Sequence, residues 1–176
     1  MANINSLQLN IKKGFTLVEL LLYIAISSVI LLVTTSFLSA LLESRVKNQT
    51  ILEVESQGAQ VMQMINQTLR NSATINSPAT STSAATLSVD TYTATNNPTV
   101  FDISAGVIRI KEGTGVVVPL TNSRVTVSAL TFQNLSRAST PGTVRATFTI
   151  TYINSSGRNE YNFTKTFTGS GTLRQP

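Results

Sequence analysis

The chain is 176 residues long, enough for one ordinary domain plus an accessory element, and only 12% of it is charged, with 13 Lys and Arg against 8 Asp and Glu. It has neither cysteine nor histidine, which excludes a disulfide scaffold, a thiolate zinc site, a cysteine nucleophile and a Ser-His-Asp triad. Apart from the adjacent Lys12 and Lys13 the cations are scattered singly, so the net charge of +5 does not point to direct nucleic-acid binding.

Residues 15–42 form an apolar run with Glu19 as its one charge. As an α-helix the run measures about 42 Å at ~1.5 Å per residue, more than the roughly 30 Å of a bilayer core. It is too long for the apolar part of a cleaved secretory signal, and no A-x-A site follows it. Lys12 and Lys13 precede it, which predicts a cytoplasmic N-terminus and sends residues 43–176 to the outer side. Glu19 lies one turn inside the run, where a carboxylate costs less than the ~2.5–3.5 kcal/mol of the bilayer centre. A plain anchor tolerates it there by snorkelling. A cut after Gly14 would instead remove both lysines and give Phe15 a cationic α-amino group, which a neighbouring copy could place against Glu19.

The helix is expected to continue as an amphipathic segment over 43–71. Ile51, Val54, Val61, Ile65 and Leu69 return at helical spacing, and Leu52 and Met62 widen the stripe. Gly58 weakens that pattern. Such a stripe is the face that packs on the domain's own sheet, with Met62 and Met64 as packing residues. Residues 72–86 turn to Ser, Thr, Ala, Asn and Pro and read as a loop. Beyond them, 87–176 reads as an antiparallel β head. TLSVDTY, TVFDI, VIRIK, GVVVPL, RVTVSALTF, TVRATFTITYI and NEYNFTKTF are rich in β-branched and aromatic residues and are separated by Gly-containing turns. The fold class is α+β: one long helix laid across an antiparallel sheet, with a division into two sub-sheets left open.

The stretch KKGFTLVELLLYIAI, Lys12 to Ile26, resembles the leader of type IV prepilins and type II secretion pseudopilins. That resemblance implies a pilin-like fold with a leader peptide over 1–14, a transmembrane and assembly helix over 15–42, and a head beyond. It implies cleavage by a prepilin peptidase between Gly14 and Phe15, N-methylation of Phe15, Lys12 and Lys13 as the leader's basic pair, and Glu19 as the contact to a neighbour's N-terminus. The partners implied are the peptidase, other pilin or pseudopilin subunits, the inner-membrane assembly platform and the lipid itself. No proline precedes Pro78, Ser36 stands in the stretch where major pilins often carry one, and the C-terminal cysteine pair of many major pilins is absent. Both departures lean toward a minor subunit. The β pattern from VIRIK through FTGSGTLR looks like the J-type pseudopilin and W-type minor pilin, with a place in a tip or priming complex.

No chemistry competes with this. Glu53 and Glu55 stand two apart on a helix and make a poor acid–base pair. Asp90 and Asp102, with Asn96 and Asn97, could meet across strands, but no compact DxDxDG loop appears and surface carboxylates are the better reading. No P-loop, dinucleotide fingerprint or GxSxG occurs. The expectation is therefore a structural subunit of a type IV pilus or a secretion or competence pseudopilus, with no catalytic residue, cofactor or metal. It would be a single-pass inner-membrane protein that moves into an extracytoplasmic filament. The rival is a single-span anchored adhesin or binding module that never polymerises; an anchored hydrolase ranks below both.

Overall fold

The computed structural model describes Gly14 and residues 16–174. Among these residues a single α-helix, α1 (Leu17–Arg70), is followed by nine strands: β1 (Ser72–Ser77), β2 (Ser83–Ala84), β3 (Leu87–Thr91), β4 (Thr99–Ser104), β5 (Val107–Glu112), β6 (Val117–Pro119), β7 (Val125–Asn134), β8 (Thr143–Tyr152) and β9 (Thr164–Thr172). Every pairing is antiparallel. One sheet has the order β1-β3-β4-β5-β6 and the other β2-β7-β8-β9. The α+β class follows directly, and the sheet is indeed divided in two. The chain falls into two units that meet between Leu42 and Glu43, inside α1.

In the second unit α1 buries Thr50, Val54, Gly58, Val61, Ile65 and Leu69, spaced by three or four residues so that they share one face. Leu52, expected in that stripe, lies outside it and is 63% exposed. Ile51 is half-buried. Gly58, which weakened the sequence pattern, sits at the centre of the buried face for a steric reason. A Cβ on it would meet Cζ of Phe167 at 2.1 Å. The same interlock repeats along β9 with the roles reversed: Met62 fills the space over Gly169, and Leu69 fills that over Gly171. The strand therefore runs on through GSG, past the expected end at Phe167, because those glycines receive helix side chains. The expected start of that strand, at Asn159, is a short 3₁₀ turn over Asn159–Tyr161.

Strand alternation builds the rest of the core. Val144, Ala146, Phe148 and Ile150 of β8 point inward, and Phe148 stacks on Phe167 with centroids 5.5 Å apart. In β7 the inward set changes phase from Val125 and Val127 to Leu130 and Phe132. A bulge between Ser128 and Thr131, with Ala129 at φ +53°, absorbs the extra residue. The hairpin from β4 to β5 turns on Ala105 and Gly106, both at positive φ, as a two-residue primed turn requires.

The segment 72–86, expected to be a loop, contains β1 and β2. β1 is an edge strand paired to β3 through two register shifts, and half of its side chains face solvent. An edge strand exposed at Ala73, Thr74 and Asn76 needs little apolar patterning beyond Ile75, which packs against the core. Its first residue, Ser72, is fully buried and donates its hydroxyl to the Thr68 carbonyl at 2.6 Å, tying strand to helix end.

Candidate functional site

Residues 17–42 of α1 are exposed on every side. A helix that is apolar all round finds its solvent in lipid or in a bundle of like helices. By length and composition α1 is long and apolar enough to cross a membrane. Its polar residues do not contradict that. Ser27, Ser28, Thr34, Thr35, Ser36 and Ser39 each donate the hydroxyl to a backbone carbonyl three or four residues back, at 2.7–3.1 Å. No hydroxyl of that set is left orphaned in hydrocarbon, which is what a spanning helix demands.

Of the residues singled out for processing and assembly, Lys12, Lys13 and Phe15 lie outside the described residues. Gly14 is exposed, with open space around its α-carbon. Glu19 occupies the first turn of α1 and faces outward. Thr16 caps that turn. Its carbonyl accepts from Leu20 N at 3.2 Å, and its hydroxyl accepts from Glu19 N at 3.3 Å. Thr16-x-x-Glu19 has capping-box spacing, and an acidic residue beside the free N–H groups of a first turn is favourable. The carboxylate itself is met from the other direction, by the Tyr23 hydroxyl at 3.3 Å from Oε1. Thr16 and Tyr23 escaped the sequence reading, although the Thr-x-x-Glu pattern and the four-residue spacing of Glu19 and Tyr23 were both visible.

Glu53, Glu55, Asp102 and Glu112 each bond to another side chain of the head. Glu53 accepts from Asn122 Nδ2 at 2.6 Å in the loop between β6 and β7, while Glu55 accepts from Lys165 of β9 at 2.6 Å, so the two carboxylates leave the helix in different directions. Asp102 does not approach Asp90. It stands opposite Arg109 and takes both guanidinium bonds at 2.8 and 2.7 Å, whereas Asp90 stands opposite Thr74. The hydrogen bond from Arg109 to Asp102 raises the Arg109 pKa, against a smaller opposing effect of burial. Asn97 clasps Thr91 and Asn96 reaches Glu112. Among the described residues no three of His, Cys, Asp and Glu gather closely enough to hold a metal ion. An open groove of about 750 Å³ includes Glu53, Arg124, Tyr152 and Tyr161 in its lining, but the Glu53 carboxylate is already held by Asn122, and the two tyrosine rings stack at 6.0 Å.

Residues 9–35 match the family described as the prokaryotic N-terminal methylation motif. The match spans the glycine, the outward glutamate and most of the exposed apolar stretch 17–42. Together with one long N-terminal helix followed by antiparallel sheets, it supports a type IV pilin-like family and implies a pilin or pseudopilin processed by a prepilin peptidase. The same motif and helix support single-pass membrane anchoring. No curated protein matches the chain, and no solved structure does.

Proposed function

We propose that the chain is a minor pilin or pseudopilin, cut between Gly14 and Phe15, methylated on Phe15, and built into an extracytoplasmic filament through α1. The observation that carries this reading is the coincidence of the methylation motif at 9–35 with a helix segment that is apolar and exposed on all sides. The chain enters the membrane with its N-terminus inside, because Lys12 and Lys13 stand on that flank. Removal of those lysines changes the helix from an anchor held at its cytoplasmic end into a subunit whose only cation there is the new terminal amine. Extraction into a filament then exchanges lipid contacts for helix–helix contacts. Packing, with Glu19 against a neighbour's Phe15 amine, decides the register.

The role is structural rather than enzymatic, and the head supplies contacts to other subunits. A minor position is supported by the unbroken helix, which has no proline before Pro78, and by the lack of cysteine. The β pattern supports the J- and W-type subclass, hence a tip or priming complex of a type IV pilus or of a secretion or competence pseudopilus. The partners are the prepilin peptidase, other pilin-like subunits and the inner-membrane assembly platform.

N-terminal sequencing and intact mass of the protein recovered from its native membrane test this. A chain that begins at Phe15 and carries one extra methyl group is the expected result. A chain still beginning at Met1 or Ala2, in cells with active prepilin peptidase, overturns the reading and leaves a membrane-anchored binding head in its place.

A further inference from the structure

We propose that Tyr23 is the positioning residue for Glu19: its hydroxyl holds one carboxylate oxygen so that the other is presented to the cation of a neighbouring chain. This rests on the assembly reading above and adds a residue to it. The two side chains stand four positions apart on α1, and helical side chains lean toward the N-terminus, so the later residue reaches back over the earlier one. Tyr23 Oη donates to Glu19 Oε1 at 3.3 Å. Oε2 takes no part in that bond.

The division of hydroxyls along the helix gives the contact its meaning. Ser27, Ser28, Thr34, Thr35, Ser36 and Ser39 turn theirs to backbone carbonyls, while Tyr23 turns its own to the charged side chain of the run. In hydrocarbon no water satisfies a carboxylate, so a phenol one turn away is the donor the chain itself provides. The bond is longer than the ~2.5–2.7 Å of a tight O–H···O⁻ contact. It orients the carboxylate without closing it in. A carboxylate already held in one direction loses less rotamer freedom when the partner arrives, so association is favoured before any new contact forms.

An aromatic ring near the end of a span also serves as an interfacial anchor, and Tyr23→Phe keeps that role while removing the hydroxyl. The experiment uses the full-length chain in cells that assemble the filament. It compares wild type, Tyr23→Phe, Glu19→Gln and the double variant. The readout is the fraction of processed chain recovered in sheared filaments, with N-terminal sequencing to score cleavage. Tyr23→Phe is expected to leave cleavage unchanged and to lower recovery about fivefold, the scale of one modest hydrogen bond. The double variant is expected to fall no lower than Glu19→Gln alone. Wild-type recovery for Tyr23→Phe beside a loss for Glu19→Gln overturns the role of Tyr23 and leaves the assembly reading standing. So do fully additive losses in the double variant. Wild-type recovery for Glu19→Gln overturns the assembly contact itself, and the role of Tyr23 with it.

Discussion

The Phe167 ring occupies the space that a side chain on Gly58 would need, with Cζ 2.1 Å from the ideal Cβ position. A glycine inside a helix ordinarily weakens it by ~1 kcal/mol relative to alanine, so on an exposed face Gly→Ala stabilises. Here the sign reverses. Gly58→Ala drives a methyl group into a ring that is itself stacked on the buried Phe148, and overpacking of that kind costs about 1–3 kcal/mol. Thermal unfolding of the full chain in detergent, followed by near-ultraviolet circular dichroism, is expected to show a lowered midpoint. Combining Gly58→Ala with Phe167→Leu should recover part of it. A raised midpoint for the single variant would mean that the ring contact does not set the helix–sheet distance.

Two positions on the helix, between three and four turns apart, give a second contrast. Ile65 is fully buried and Leu52 is 63% exposed, although both are large aliphatic residues in the same apolar-looking stripe. Ile65→Ala is expected to destabilise the head by about 2–5 kcal/mol through lost transfer energy and the cavity left behind. Leu52→Ala should stay within about 0.5 kcal/mol of wild type, as surface changes do. Chemical denaturation midpoints of the two variants decide it; equal losses would place Leu52 in the core.

How these residues read in the sequence depends on what each was measured against. Helical spacing identified Val54, Val61, Ile65 and Leu69 because their partners are apolar and their period is regular. It missed Gly58, since a position filled by a ring from a strand has no hydrophobic signature of its own, and Thr50, a polar residue whose hydroxyl bonds back to the Val46 carbonyl. Seven of the strands announced themselves through β-branched and aromatic runs. β1 and β2 did not, because an exposed edge strand and a two-residue strand bury too little to need apolar alternation. At the helix start Glu19 was legible as an odd charge in an apolar run. Its tie to Tyr23 was not, because a tyrosine in such a run reads first as an apolar or interfacial residue. Lys12, Lys13 and Phe15 carry their meaning in the order of residue types and lie outside the described residues.

Asn97 offers a test of what the polar cluster near β3 does. Its Oδ1 accepts from Thr91 N at 2.7 Å and Thr91 Oγ1 at 2.9 Å, and its Nδ2 donates to Thr91 O at 2.9 Å. Both polar ends of the amide are thus spent on Thr91, and nothing in the geometry offers them to a cation. Asn97→Ala leaves partly buried backbone groups without partners, which costs about 1–3 kcal/mol. Wild-type stability should be the same in calcium and in chelator. A midpoint that rises with calcium in the wild type and not in Asn97→Ala would return this cluster to the list of metal sites.

Membrane retention supplies the last expectation, and it separates the two halves of α1. Ile30 lies near the middle of the all-exposed stretch, where a Lys raises the apparent cost of insertion by roughly 2.5–3.5 kcal/mol. The same charge at Leu52 falls on an exposed face of the head helix and has no hydrocarbon to leave. In alkaline extraction of cell membranes, Ile30→Lys is therefore expected to shift chain into the soluble fraction, and Leu52→Lys to stay with the membrane as wild type does. If Ile30→Lys were retained as firmly as wild type, residues 17–42 would not be what holds the chain in lipid, and the apolar surface of that stretch would have to be covered by protein from the moment of synthesis.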